Sequence, residues 1–198
     1  VPQLHIAQLE ALATAGVFNQ SFGQQRRDAL WSAGAVIQSR PDRLAGVTTG
    51  SEAPHLPGMQ PVEEAIADIW ATGVSPTGHP TEFLRTELQR MGVVVAADLP
   101  SRGQAGDAKV LVAGTVTHRQ RPMTAQGITF INLEDETGLI NVVCSVGCWT
   151  RYRKAARGAG ALLVRGRLEV GDGGVINVVA EHIAPLAVGA KVAARNFR

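Results

Sequence analysis

The chain has 198 residues, of which 45% are hydrophobic and 18% are charged, so it can bury a core, and this composition argues against global disorder. No apolar run approaches the roughly 20 residues of a membrane-spanning helix, and the N-terminus shows no signal-peptide pattern. The net charge of +2 hides an uneven distribution. Residues 1–109 hold 8 basic and 11 acidic residues, whereas residues 110–198 hold 11 basic and 6 acidic residues. The basic second half points to an anionic partner.

The N-terminal residues show the pattern of a small helical unit. Apolar residues recur at helical spacing over residues 4–13, and Gly16 predicts the end of that helix. A hairpin over residues 17–23 is then expected to lead into a second helix over residues 24–33. In this arrangement Leu30 and Trp31 face the first helix.

Proline and glycine recur through the next segment, residues 39–60, and its apolar residues show no helix or strand periodicity. We therefore predict a linker. Pro61 is suited to the first position of a helix, which Gly73 ends. Pro80 opens another helical pattern, and Gly92 is expected to cap it.

From Lys109 onward the apolar residues alternate, which is typical of strands. Gly114 and Gly166 lie inside two of these strands, at positions where a small barrel needs sharp bends. The predicted elements are strands at residues 109–117, 129–134 and 139–144, a helix at 149–157, and strands at 161–169 and 175–185. This is the element order of an OB-fold, a five-stranded Greek-key barrel with a helix between its third and fourth strands.

The predicted fold class is therefore α+β, with a helix-hairpin-helix-like unit, linker helices and a five-stranded OB-fold β-barrel. The expected organisation is a helical unit at residues 1–38, a linker at 39–60, connecting helices at 61–100, the OB-fold domain at 108–187 and a tail at 188–198.

No metal or cofactor site is predicted in the chain. Its only cysteines, Cys144 and Cys148, have no second pair or neighbouring histidine, so they do not form a zinc pattern. We interpret them as reduced thiols of a cytoplasmic protein. The five histidines are scattered, and the acidic run over residues 134–136 lacks further ligands for Mg²⁺.

Several stretches of the sequence carry motifs of one known protein family. Residues 130–138 (FINLEDETG) resemble the strand-turn signature of the C-terminal OB domain in DnaE-type polymerase III alpha subunits of bacteria, and residues 73–80 (GVSPTGHP) resemble the stretch before that barrel. Residues 9–23 resemble the end of the helix-hairpin-helix region. The stretches closer to the error-prone paralogue, ImuC, are residues 56–59, 148–153 and 194–198.

This resemblance implies a non-catalytic part of an error-prone DNA polymerase that acts in damage-induced translesion synthesis. In that family the active site, with its expected Mg²⁺, lies in an upstream palm domain, and this chain begins at Val1 without Met. The replicative relative also carries a clamp-binding motif of Gln and bulky apolar residues, which residues 38–60 lack, so no direct clamp binding is expected. The implied partners are single-stranded template DNA and an ImuB-like protein, through which the error-prone family is thought to reach the clamp.

Four arginines of the predicted barrel are candidates for contact with DNA phosphates. Arg119 and Arg121 fall in the expected loop between the first two barrel strands, a loop that OB-folds use for nucleic acid. Arg165 and Arg167 share one face of a later strand because strand side chains alternate with period two. The alternative interpretation of each pair is a solvated basic surface.

Phe130 is a candidate for base stacking. It shares a strand face with Asn132 and Glu134, whereas Ile131 and Leu133 share the other face. The alternative is a position in the core, but the two polar neighbours favour an outward position for the ring, where it can stack on a base.

The helix between the third and fourth barrel strands combines basic and aromatic residues. Trp149 and Tyr152 are expected to plug one end of the barrel. The basic side chains that could follow a phosphate backbone are Arg151, Arg153, Lys154 and Arg157. The alternative interpretation is a basic helix surface that is only solvated.

Two other functions remain open at this point. One is a stand-alone OB-fold nucleic-acid-binding protein, and the other is an anticodon-binding appendage of an aminoacyl-tRNA synthetase. The sequence that precedes Val1 distinguishes them, since a polymerase palm, a synthetase core or neither would be found there.

Overall fold

The first part of the chain is helical, and the second part forms a barrel. The structure, a computed structural model, describes residues 4–38, 53–104, 109–171, 174–187 and 195–196. It divides into two units, Val1–Pro76 and Thr77–Arg198. Most of the predicted linker and tail lies outside the described residues, and of the stretch 194–198 only residues 195–196 are described. The predicted connecting segment at 61–100 is split between the two units.

Among its described residues, the first unit contains four helices: α1 (Ile6–Thr14), α2 (Val17–Phe22), α3 (Arg26–Gln38) and α4 (Pro61–Thr72). The predicted hairpin at residues 17–23 is wrong, because Gly16 and Gly23 take left-handed φ angles of +74° and +67° and bound a short helix instead. The predicted bounds of α4 are confirmed. Pro61 begins it, and the N–H of Gly73, with φ +83°, donates to Ile69 O where it ends.

Small side chains occupy the buried positions of α1 and α3. Ala13, Ala29 and Ala33 are buried, whereas the indole of Trp31 is 48% exposed and Leu30 is half-buried. The prediction that Trp31 faces α1 is therefore wrong. Alanines at the contact leave no space for a large ring between closely packed helices.

Arg26 joins three helices of the first unit. Its Nη1 donates to Thr14 O and Glu64 O, both at 3.2 Å, and its Nη2 lies 2.7 Å from Asp68 Oδ1. Both side chains are largely buried, so this ion pair is part of the core. Arg26 is therefore engaged in the fold and is not offered to a ligand.

The second unit begins with short elements: α5 (Pro80–Phe83), α6 (Arg85–Arg90), β1 (Val93–Val94) and α7 (Leu99–Gln104), with a 3-10 turn at Ala96–Asp98. The helix predicted from Pro80 is interrupted at Leu84, whose backbone leaves the helical region with φ −100° and ψ 0°. Gly92, with φ +80°, follows α6 where the cap was predicted.

The barrel contains β2 (Lys109–Gln120), β3 (Thr129–Asp135), β4 (Gly138–Cys144), α8 (Val146–Arg151), α9 (Arg153–Gly158), β5 (Ala161–Val170) and β6 (Ile176–Pro185), and β7 (Arg195–Asn196) pairs with β2. The predicted order of strands is confirmed. The single predicted helix is two helices, which meet at Tyr152 with φ −106° and ψ 19°.

The five long strands close into a barrel in the order β2-β3-β4-β6-β5, and β5 returns to pair with β2. The β4–β6 pair is parallel and the other pairs are antiparallel. This topology is that of an OB-fold, so the predicted α+β class with a five-stranded barrel is confirmed.

Two glycines allow the barrel backbone to approach itself closely. A Cβ on Gly114 would lie 2.6 Å from Glu134 O, and one on Gly166 would collide with Val179 O. The registers of β2–β3 and β5–β6 shift close to these two points. The bends predicted at the glycines therefore arise from close strand packing.

Branched side chains fill the inside of the barrel. Ile131 and Leu133 of β3 are fully buried together with Val142 of β4. Trp149 and Tyr152 are partly buried and pack against this core, as predicted for side chains that close one barrel end. The side chains that point outward from β3, β4 and β6 are therefore not part of this core.

Candidate nucleic-acid interface

The outer face of β3 carries the predicted aromatic residue. Phe130, Asn132 and Glu134 are half-buried, whereas Ile131 and Leu133 between them are 0% exposed. The strand alternation therefore places the Phe130 ring outside the barrel core, as expected.

Phe130 belongs to a row of apolar side chains that crosses three strands. It pairs with Val143 of β4, and Val143 pairs with Val179 of β6. We call Phe130, Val143 and Val179 the apolar row. Gln120 continues it on β2 and Arg167 continues it on β5. An apolar row of this kind offers a surface over which bases can lie.

A second row, parallel to the first, consists of three asparagines. Asn132 pairs with Asn141 of β4, and Asn141 pairs with Asn177 of β6. We call these residues the amide row. Their side chains are half-buried, and among the described residues none of the three amide groups takes part in a side-chain hydrogen bond. The sequence pattern assigned Asn132 to the strand face of Phe130 but did not identify Asn141 and Asn177, because only strand pairing aligns the three asparagines.

Arg165 and Arg167 project from β5 into solvent. They alternate with Val164 and Gly166, which are buried, so the predicted shared face of the two arginines is confirmed. Arg167 Nε lies 3.4 Å from Glu181 Oε1, and both side chains are substantially exposed. Because an exposed pair of this kind is weak, Arg167 remains accessible to an anion.

Arg119 is not a loop residue, so that prediction of its position is wrong. It lies within β2 and is 5% exposed. Its Nε donates to Ala156 O at 2.6 Å, and its Nη2 donates to Ala159 O. Burial lowers the pKa of this guanidinium to about 10. The side chain satisfies carbonyl groups at the end of α9, and this explains why it is buried in spite of its charge.

Arg121 lies just beyond the end of β2 and is exposed, as predicted. The same loop contains Met123, which is 100% exposed. No sequence pattern singled out this methionine. A fully exposed apolar side chain beside an exposed arginine adds to the surface offered by the β2–β3 loop.

The short helices carry the predicted group of basic residues on the surface. Arg151, Arg153, Lys154 and Arg157 are all exposed. An open cleft of about 590 Å³ is lined by Arg153, Lys154, Arg157 and Gly158. None of these four described residues carries a carboxylate side chain, so the cleft is suited to an anion.

The acidic turn between β3 and β4 is engaged within the fold. Asp135 is buried, and its carboxylate accepts hydrogen bonds from the N–H groups of Ala96, Thr137 and Gly138 at 2.7–3.0 Å. The Glu136 carboxylate accepts from Thr81 Oγ1 at 2.6 Å and from Arg85 Nη2 at 2.7 Å.

Hydrogen bonds keep Glu136 ionised in this turn. Burial acts to raise the pKa of its carboxyl, but hydrogen bonds from Arg85 and Thr81 outweigh burial and lower the pKa to about 2. His79 completes the cluster, with Nδ1 2.6 Å from Thr81 Oγ1 and Nε2 3.2 Å from Thr115 Oγ1. Burial lowers the pKa of His79, so its ring is neutral at neutral pH. This cluster attaches α5 and α6 to the barrel turn.

No group of three or more potential metal-ligating side chains occurs among the described residues. Burial raises the pKa of Cys144 to about 12, and it also raises the pKa of Cys148. Both thiols are thus protonated at neutral pH. Within the same part of the chain, no helix is long and apolar enough to cross a membrane.

Comparisons with solved structures find a partial likeness. Asparaginyl-tRNA synthetase from Pyrococcus horikoshii aligns with 46% of this chain and 22% of its own, with 21% identity and a TM-score of 0.38. A family profile described as an OB-fold nucleic acid binding domain matches residues 110–186.

Comparisons with curated sequences find likeness over nearly the whole chain. Error-prone DNA polymerase of Mycolicibacterium paratuberculosis is 56% identical over 99% of this chain, and that of Mycobacterium tuberculosis H37Rv is 55% identical over the same share. Error-prone DNA polymerase of Corynebacterium glutamicum is 44% identical over 98% of the chain. The chain spans 18% of the length of each of these relatives. It is therefore related over its length to one segment of the error-prone DNA polymerases, and this segment contains an OB-fold domain.

Proposed function

We propose that the barrel binds single-stranded template DNA across its outer face, as the C-terminal part of an error-prone polymerase. One observation carries this proposal. The outer surface of β2, β3, β4, β6 and β5 combines three features: an outward aromatic ring, two aligned rows of apolar and amide side chains, and exposed arginines. Stacking and phosphate contact together are how proteins bind single strands.

In this proposal Arg121, Arg165 and Arg167 contact phosphates, and Phe130 stacks on a base. Arg119 is omitted because its guanidinium is engaged with α9. The exposed residues Arg151, Arg153 and Lys154 provide a separate basic surface, on which a longer strand could continue.

A salt titration tests the proposal. Fluorescence anisotropy of a labelled oligonucleotide should give saturable binding whose log-log slope against salt is about −2, since each phosphate contact on a single strand contributes roughly −0.7. The triple substitution Arg121→Ala, Arg165→Ala and Arg167→Ala should remove most of that slope. A folded variant with unchanged affinity and slope would show that these arginines form only a solvated surface.

We further propose that the longer protein is a DNA-directed DNA polymerase with its Mg²⁺ site elsewhere, which acts in the cytoplasm in translesion synthesis. The names of the relatives and the share of their length that this chain covers support this view. Primer extension tests it. The chain by itself should extend no primer, whereas the longer protein should.

A protein partner of the ImuB type is a second proposal, and it concerns the first unit. That unit exposes Phe22 (71%), Trp31 (48%) and Trp70 (52%), which are large apolar side chains typical of protein contacts. Co-purification of the chain with such a partner should succeed. Loss of the complex on Trp70→Ser, without loss of helicity, would assign the contact to this surface, whereas an unaffected complex would exclude Trp70 from it.

A further inference from the structure

We propose that the amide row, Asn132, Asn141 and Asn177, binds the Watson–Crick edges of unpaired bases, so that the barrel selects single strands without selecting sequence. This inference rests on the proposed function and identifies the feature of the DNA that the outer face recognises.

The first argument is the position of the row. Asn132, Asn141 and Asn177 are direct partners in the strand register, so their side chains repeat at the strand spacing of about 4.8 Å. The apolar row lies two residues along each strand, a separation of about 6.6 Å. The edge of a base that lies on Phe130 can thus point towards an amide of the neighbouring row.

The second argument is that the three amides are available. In the part of the chain that the structure describes, their nitrogen and oxygen atoms take part in no side-chain hydrogen bond, and none of them is a buried atom without a partner. They therefore reach solvent. Asparagine is also disfavoured in strands, so three aligned asparagines are not explained by strand stability. Their polar groups are free to bind a ligand.

The third argument is chemical. An asparagine amide presents a donor beside an acceptor, and rotation about χ2 exchanges the two. Each of the four bases also presents a donor beside an acceptor on its Watson–Crick edge. The same amide can therefore match any base, provided that the base is unpaired, because base pairing occupies those atoms in a duplex. This chemistry suits a template, which contains every base.

The experiment separates hydrogen bonding from stacking. Anisotropy titrations compare oligothymidylate with a strand of equal length in which difluorotoluene, a nonpolar isostere, replaces thymine. The wild-type chain should bind oligothymidylate roughly tenfold more tightly, in line with one good bidentate contact. The triple variant Asn132→Ala, Asn141→Ala and Asn177→Ala should bind both strands equally and keep the same salt slope.

Two matched variants control the experiment. Phe130→Leu should weaken binding of both strands by the same factor, and Asn19→Ala, an exposed amide of the first unit, should change neither. If the triple variant does not fold, Asn141→Ala alone should reduce the ratio of the two affinities by at least about twofold.

Three results would overturn the inference. A wild-type chain that binds both strands equally contradicts it, and so does a folded triple variant that keeps the tenfold ratio. In both cases the proposed single-strand binding survives. If the wild-type chain binds neither strand, the proposed function fails together with the inference.

Discussion

The acidic turn and the outer face of the barrel use polar side chains in opposite ways. At the turn, Asp135 and Glu136 accept hydrogen bonds from backbone N–H groups, Thr81 and Arg85. On the outer face, the amide row has no side-chain partner among the described residues. Both regions lie partly within one stretch of sequence, residues 130–138.

This comparison shows that charge by itself does not identify a binding surface. Arg85 and Arg119 are cations of the barrel unit, yet both are engaged in holding helices to strands. Arg121 and Arg165 have the same chemistry but are exposed. The predictions below separate side chains that stabilise the fold from those proposed to bind DNA.

The largest expected effect is loss of stability on Arg85→Leu. The substitution leaves the Asp135 and Glu136 carboxylates without their cation, and removal of one partner of a largely buried pair should cost about 3 kcal/mol. Urea unfolding measures this loss. Arg90→Leu, an exposed arginine of α6, is the control and should cost less than about 0.5 kcal/mol. Equal losses would show that the cluster contributes nothing specific.

The same cluster predicts a dependence of stability on pH. Hydrogen bonds from Arg85 and Thr81 overcome the effect of burial and lower the Glu136 pKa from 4.5 to about 2. The stability that this carboxylate contributes is therefore present above pH 4.5 and is lost as the pH falls towards 2. Thermal unfolding of the wild type and of Glu136→Gln should differ less at pH 2 than at pH 6. A constant difference would contradict this assignment.

Arg119→Met should be destabilising without a direct effect on DNA binding. The buried guanidinium loses its bonds to Ala156 O and Ala159 O, each a charge-assisted hydrogen bond, and the expected cost is about 2 kcal/mol. Arg121→Met is the matched control, with nearly unchanged stability and a salt slope for DNA reduced by roughly 0.7. If Arg119→Met instead reduced the salt slope and left stability nearly unchanged, Arg119 would be assigned to the DNA-binding surface.

Phe130→Ala should weaken binding of single strands by about 1–3 kcal/mol, because one stacking surface is lost. The salt slope should stay the same, since no phosphate contact is removed. Phe22→Ala, which truncates a 71% exposed ring of the first unit, is the control and should have no effect on this binding. Anisotropy titrations that find the two variants alike would argue against stacking on the barrel.

The smallest expected effect is a gain in affinity on Glu181→Gln. This change removes the carboxylate 3.4 Å from Arg167 Nε, and exposed pairs are worth no more than about 1 kcal/mol. Affinity for oligonucleotides should rise about twofold at low salt. Glu87→Gln on α6 removes an equal charge at another exposed site and should give a smaller gain. Arg167 has no part in binding if the two variants gain equally.

Local patterns in the sequence predicted much of the barrel and part of the outer face. Three features were predicted correctly: the strand order, the helix starts at Pro61 and Pro80, and the outward position of Phe130. They depend on the alternation of apolar and polar residues and on glycine and proline, whose effects are confined to a few residues. The exposure of Arg165 and Arg167 followed from the same alternation. The hairpin at residues 17–23 was wrong because glycine bounds helices as well as turns.

The tertiary structure decided which polar side chains are engaged. Arg119 and Arg121 are alike in the sequence, but β2 continues to Gln120, and α9 then brings carbonyl groups to Arg119 only. Likewise, Asn141 and Asn177 become neighbours only because β4 and β6 pair in parallel. The sequence by itself determined the elements and the faces of each strand, since those depend on near neighbours. Partners distant along the chain determined which of those faces remain free to bind.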